Sequence, residues 1–155
     1  MQSFFLPRRY VPTKAPVLGF IGAGNLLDAS PFNQQRRLPI PAPFRRFGMF
    51  AFQISGDSMT LPDGTGLVQG AWVLVDSHDL FTSDGHVFAF RMPDGSLVAK
   101  RYRLLGGRPG MYSDNVAYAP QRLNADIRNQ GRVYAYSVDG QAWAFTKYRA
   151  WGRSS

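Results

Sequence analysis

The sequence predicts a mainly β protein, with antiparallel sheets and hairpins from about residue 47 onward and an extended N-terminal arm before them. Three observations carry this. Asp-Gly pairs, the preferred residues of tight hairpin turns, recur at 63–64, 84–85, 94–95 and 139–140. The apolar runs between these turns have strand length. No stretch longer than about ten residues keeps an apolar stripe at helical spacing.

The elements follow in chain order. Residues 1–16 carry Pro7, Pro12 and Pro16 without sustained periodicity, which predicts a loose arm. Residues 17–29, VLGFIGAGNLLDA, are apolar and punctuated by glycine, so an extended segment is expected. Residues 30–46 hold Pro31, Pro39, Pro41, Pro43 and two Arg pairs, the composition of a linker or long surface loop. Gly48–Gly56 alternates apolar residues around Phe50, Phe52 and Ile54, a short β-like run. Ala71–Asp76 is a compact apolar run and predicts a buried strand. His86–Met92 and Ser96–Leu105 are joined by Pro93-Asp94-Gly95, a hairpin. Arg132–Val138 and Gln141–Tyr148 are joined by Asp139-Gly140, which predicts a type I′ hairpin.

Composition narrows the function. In 155 residues there is no cysteine, which excludes a disulfide framework, a Cys-based zinc site and a thiol nucleophile. His78 and His86 are too few for a histidine cluster and are expected as surface turn or strand residues; Trp72, Phe88 and Phe90 are expected in the core. No metal and no cofactor is implied. A membrane helix needs about 20 apolar residues in succession, and no such run occurs; nor does the N-terminus resemble a signal peptide. A soluble, cytoplasmic protein is expected.

The charge of +8 is uneven. Up to residue 56 seven basic residues face one acid, Asp28, giving +6; the remainder carries +2. A basic half is compatible with a nucleic-acid footprint, since Arg and Lys neutralise phosphates, and equally with a solvated arm. No helix-turn-helix or RNA-binding signature accompanies it, so direct DNA binding stays open. Fifteen of the eighteen basic residues are Arg; only Lys14, Lys100 and Lys147 are lysines.

That scarcity draws attention to Lys100. Gly56-Asp57-Ser58-Met59 follows a predicted strand, and a serine hydroxyl becomes a nucleophile only with a base in hydrogen-bond reach. The histidines lie in turn-like contexts, and lysine is the other base serine is known to use. Lys100 lies 42 residues downstream in a predicted strand, sharing one face with Val98 and Tyr102 while Leu97, Ala99 and Arg101 share the other. Keeping a lysine amine neutral at pH 7 costs roughly 4–5 kcal/mol. Burial can shift a fully buried lysine by up to about 3–5 pH units, and the apolar neighbours Val98 and Ala99 favour it. Taken singly, each residue also fits an ordinary turn serine and a solvated strand lysine.

The ordered blocks FQISGDSM (52–59), GAWVLVD (70–76), DGHVFAF (84–90) and SLVAKRYRL (96–104) together resemble the LexA–UmuD family of self-cleaving serine peptidases. That family carries its nucleophile in Gly-x-Ser-Met and its lysine base in a strand reading roughly V-x-K-R. Upstream, APVLGFIGAGNLLDA (15–29) is similar to the family's cleavage segment, in which the cut falls between Ala or Cys and Gly. The resemblance therefore implies a LexA/UmuD-like peptidase domain. Ser58 would be its nucleophile, Lys100 its general base, Ala23–Gly24 the cleaved bond, and backbone N–H groups of Asp57 and Ser58 the oxyanion hole. It divides the chain into an arm, 1–23, removed by cleavage; a remainder and Pro/Arg-rich linker, 24–46; and a peptidase domain, 47–155. Cleavage would take Arg8, Arg9 and Lys14 away and leave +5.

The chain also departs from the family. The loop TLPDGTGLVQGAW is longer than in the best-known members, Gly70-Ala71 stands where Gly-Asp is common, and 106–130 offers little to align beyond Asn115-Val116-Ala117-Tyr118. Only 23 residues precede Gly24, against roughly 50–60 for a helix-turn-helix domain of at least two packed helices. The layout is therefore expected to be closest to the UmuD branch. By resemblance, cleavage would be stimulated by a RecA–single-stranded DNA filament in the DNA-damage response. The product would be homodimeric and assist an error-prone translesion polymerase. Three alternatives stay open: the cleavage and dimerisation portion of a LexA- or phage-type repressor, a signal-peptidase relative, and a binding module that kept the fold without the reaction.

Overall fold

In the computed structural model, the described residues are 10–21, 25–26 and 36–150, with the backbone alone described at 20, 21, 25 and 26. Antiparallel β-structure dominates them, as the turn spacing requires. The strands are β1 (Lys14–Pro16), β2 (Phe20–Ile21), β3 (Asn25–Leu26), β4 (Arg37–Pro39), β5 (Met49–Gln53), β6 (Trp72–Asp76), β7 (Val87–Arg91), β8 (Leu97–Leu105), β9 (Arg108–Tyr112), β10 (Gln121–Arg122), β11 (Arg128–Ser137) and β12 (Ala144–Phe145). The main sheet runs β10-β9-β8-β7-β11-β6-β5, and β12 adds to β11.

The central strands are covered on both faces, which is why they read as continuous apolar runs. In β5, β6 and β7 four successive residues are buried. On one face Phe50, Phe52, Val73, Val75, Ala89, Ala99 and Val133 pack together with Met59 beneath them. The opposite face carries two clusters. One forms around Met49, Ala51, Trp72, Leu74 and Ala135, the other around Phe88, Phe90, Tyr102 and Met111. Trp72, Phe88 and Phe90 are core residues, as their composition implied.

Pro93-Asp94-Gly95 closes the β7–β8 hairpin, with Gly95 at φ +88° and Gly95 N–H donating to the Met92 carbonyl. The second expected hairpin differs. β11 is a central strand whose main neighbours are β6 and β7, and it meets only Ala144 and Phe145 of the following segment. Asp139-Gly140 is not a two-residue turn; Asp139 instead caps the N–H groups of Gln141 and Ala142 within a wider loop. Burial between two sheet neighbours outweighs the local turn preference. At Gly131, φ +132° accompanies a register shift that bends β11 from β7 toward β6.

The Pro- and Arg-rich stretch also carries structure. β4 pairs with β1, placing Lys14 opposite Pro39 and Ala15 opposite Leu38, and Ala15 and Ile40 are almost fully buried. Proline is tolerated here because this two-stranded ribbon is all edge. Val17 then bridges Ala51 in parallel, and Leu18 N–H donates to the Ala51 carbonyl at 2.8 Å. The segment expected to be extended is thereby tied to β5. In β2 and β3, Phe20 opposes Leu26 and Ile21 opposes Asn25. Gly22, Ala23 and Gly24, with the expected cleavage bond, lie outside the described residues.

Candidate active site

Ser58 and Lys100 meet. Lys100 Nζ lies 2.9 Å from Ser58 Oγ. β8 supplies the lysine at a position opposite Phe88 of β7; on the same strand Val98 and Tyr102 pack in one cluster, Leu97 and Ala99 in the other. The two faces are those the strand period implied. Ser58 sits in the turn that follows β5, anchored by Met59, which is 1% exposed and packs in the core. That turn is closed by Thr60 N–H donating to the Asp57 carbonyl at 3.0 Å.

Half-buried, the Lys100 amine is held below its ordinary value, chiefly because burial disfavours the ammonium form; the Asp114 charge opposes this. Asp114 is itself taken up by Arg101, with Nε–Oδ1 and Nη2–Oδ2 distances of 2.8 and 2.7 Å. Such a bidentate pair fixes geometry as well as charge. It leaves the lysine in a partly dry setting beside a carboxylate that is already satisfied.

Sequence reasoning missed the remaining residues of the site, all in the stretch after β9. Ser113 Oγ lies 2.8 Å from Lys100 Nζ. Asn115 donates twice to the Ser58 turn: its backbone N–H to the Ser58 carbonyl at 2.9 Å and its Nδ2 to the Asp57 carbonyl at 3.1 Å. Tyr118 donates its hydroxyl to the Asp57 carboxylate, and its ring lies 5.7 Å from Lys100 Nζ. In a trans peptide the N–H points opposite the C=O. Engaging both carbonyls on Asn115 therefore turns the N–H groups of Ser58 and Met59 the other way. The available signals were the polar run Ser113-Asp114-Asn115 directly after a strand, and Asn115-Val116-Ala117-Tyr118, the one piece of 106–130 that aligns with the family.

Beside Ser58 is a cleft of about 240 Å³. Its lining includes Phe52, Ile54, Val98 and Ala99 together with Ser58. Small apolar residues in extended conformation suit such a space. His78 is exposed and stacks on Phe47 at 5.5 Å. His86 packs near Tyr148, and its imidazole is held below its ordinary value, first by burial and then by Arg132 and Arg101, with Asp79 opposing. Among the described residues, no three His, Asp or Glu side chains converge as a metal site needs. No helix among them is long and apolar enough to cross a membrane.

Comparison with known proteins places the chain in a family. Residues 16–142 match the family model described as Peptidase S24-like. The chain is 26% identical over 136 residues to a LexA repressor of Shewanella piezotolerans, covering 88% of this chain and 61% of that protein. It is 29% identical over 109 residues to a LexA repressor of Verrucomicrobium spinosum, covering 66% and 50%. It is also 34% identical over 94 residues to repressor protein CI of Enterobacteria phage phi80, covering 59% and 37%. The chain thus spans between about a third and three fifths of the length of these relatives. With a family model spanning most of its length and a matching β architecture, the chain belongs to the Peptidase S24-like family of LexA/UmuD-like self-cleaving peptidases.

Proposed function

We propose that the chain cleaves its own backbone between Ala23 and Gly24, with Ser58 as nucleophile and Lys100 as general base. The observation that carries this is the 2.9 Å contact between Lys100 Nζ and Ser58 Oγ, with burial favouring the neutral amine. Ser58 Oγ attacks the Ala23 carbonyl carbon while Lys100 takes the hydroxyl proton. The tetrahedral oxyanion is received by the backbone N–H groups of Asp57 and Ser58, the latter turned away from Asn115 by its hold on the Asp57 carbonyl. On collapse the C–N bond breaks and Lys100 delivers its proton to the Gly24 amine. Water, deprotonated by Lys100, then hydrolyses the Ser58 ester and frees the Ala23 carboxylate.

Attachment of the upstream segment to β5 supports cleavage in cis. Val17 bridges Ala51 in parallel. Ala23 follows Val17 by six residues and Ser58 follows Ala51 by seven, in the same direction. Purified protein at alkaline pH is expected to yield fragments 1–23 and 24–155, and Ser58→Ala and Lys100→Ala to remain intact. Equal cleavage in either variant would remove the dyad.

In its physiological role we propose a UmuD-like protein of the DNA-damage response, acting in the cytoplasm as a homodimer. RecA–single-stranded DNA filament would stimulate the cut, and the product would assist a translesion polymerase. The names of the relatives favour a second reading, self-cleavage that inactivates a repressor. Both predict faster cleavage with activated filament. Capture of a polymerase subunit by the 24–155 product supports the first, and its failure with retained filament stimulation the second.

A further inference from the structure

Ser113 occupies a particular place in the ladder. β8 and β9 pair antiparallel, and their last registered pair on this side is Arg101 with Tyr112. One step further, Ser113 stands opposite Lys100, where directly facing side chains interact most closely. The chain then turns away at Asp114, pinned by its two bonds to Arg101. The neighbours of Lys100 on its own strand face, Val98 and Tyr102, pack in an apolar cluster. The second polar contact of the amine therefore comes from across the ladder, at 2.8 Å.

A neutral amine has two N–H groups and one lone pair, and it rotates among three staggered wells. Only one of them aims the lone pair at Ser58 Oγ. We propose that Ser113 is a positioning residue for the base: its Oγ accepts one N–H of Lys100 and so holds the lone pair on Ser58. This rests on the Ser58–Lys100 reading of the reaction. An ammonium donates to the same hydroxyl more strongly than an amine does, so Ser113 also holds the proton affinity of Lys100 up against the effect of burial. The other charged and titratable groups around the amine are accounted for. Asp114 pairs with Arg101, Tyr118 presents its ring, and Asp57 receives the Tyr118 hydroxyl.

The test uses the full chain and its three lysines, which give three resolvable side-chain carbon signals in a lysine-labelled sample. In folded Ser113→Ala the titration midpoint of Lys100 should fall by about half to one pH unit. The alkaline plateau of self-cleavage should fall about tenfold through lost alignment. Ser113→Thr, which keeps the hydroxyl, should recover most of both. A general loss of packing would lower the plateau without moving the midpoint. An unchanged midpoint and plateau in Ser113→Ala would overturn the proposal. Cleavage of Ser58→Ala at the wild-type rate would instead overturn the dyad, and the role of Ser113 with it.

Discussion

The backbone N–H of Asn115 donates to the carbonyl of Ser58 at 2.9 Å, across 57 residues of sequence. The orientation of the Ser58 peptide plane thus depends on a loop from a distant strand. With Nδ2 on the Asp57 carbonyl, one residue clamps two successive peptides of the turn.

Removing the Asn115 side chain should therefore loosen the oxyanion donors more than the base. Asn115→Ala is expected to lower the alkaline plateau of self-cleavage by about ten- to a hundredfold, in line with the loss of part of an oxyanion site. The pH midpoint should stay where it is, which separates this variant from Ser113→Ala. Fragment yield against time across a pH series measures both.

The cleavage rate should rise with pH as Lys100 loses its proton, with a midpoint below the ordinary lysine value of 10.5. Stability follows the same group. Because its folded value is depressed, the folded chain binds fewer protons than the unfolded chain between that value and 10.5, and stability rises with pH across this interval. Lys100→Met in a Ser58→Ala background should lack that rise. Urea midpoints between neutral pH and 10.5 check the sign.

Asp114 and Arg101 are 10% and 5% exposed, so neither charge is dispensable alone. Asp114→Ala leaves the guanidinium buried without its carboxylate and should cost about 3–5 kcal/mol in urea unfolding. Asp114→Asn also withdraws the negative charge that supports the ammonium, so the Lys100 midpoint should move further down.

Gly131 lies where β11 crosses from β7 to β6, at a positive φ, and a Cβ there would overlap the Asp76 carbonyl. Gly131→Ala is expected to destabilise the fold by more than about 1 kcal/mol through backbone strain and steric conflict together. Its effect should appear as a lower urea midpoint, with the Lys100 titration unchanged in the protein that remains folded.

Much of the strand layout was legible because burial leaves a local mark. Trp72–Val75 and Val87–Phe90 read as strands from their apolar runs, and Pro93-Asp94-Gly95 as the turn from β7 to β8. The failures share a cause. Asp139-Gly140 looks like a tight hairpin turn, yet β11 is engaged by β6 and β7, which are remote in sequence. Arg37–Pro39 looks like linker, yet its backbone finds a partner in Lys14–Pro16. Local composition reports how a segment can bend, whereas the choice of pairing partner is made by whatever the whole sheet can bury.

The same division runs through the candidate site. The sequence alone determined the two chemically distinctive side chains, a serine after Gly-Asp and one of three lysines in an arginine-rich chain, because reactivity belongs to residue type. It also determined that lysine would stand on an apolar strand. Tertiary structure decided that Lys100 Nζ and Ser58 Oγ stand 2.9 Å apart, and that Ser113, Asp114, Asn115 and Tyr118 surround them. Those four contribute through hydrogen bonds whose partners lie 13 to 61 residues away. Such contacts arise from the register of β8 on β9 and the packing of Met59 beneath the sheet, which no local pattern of residues encodes.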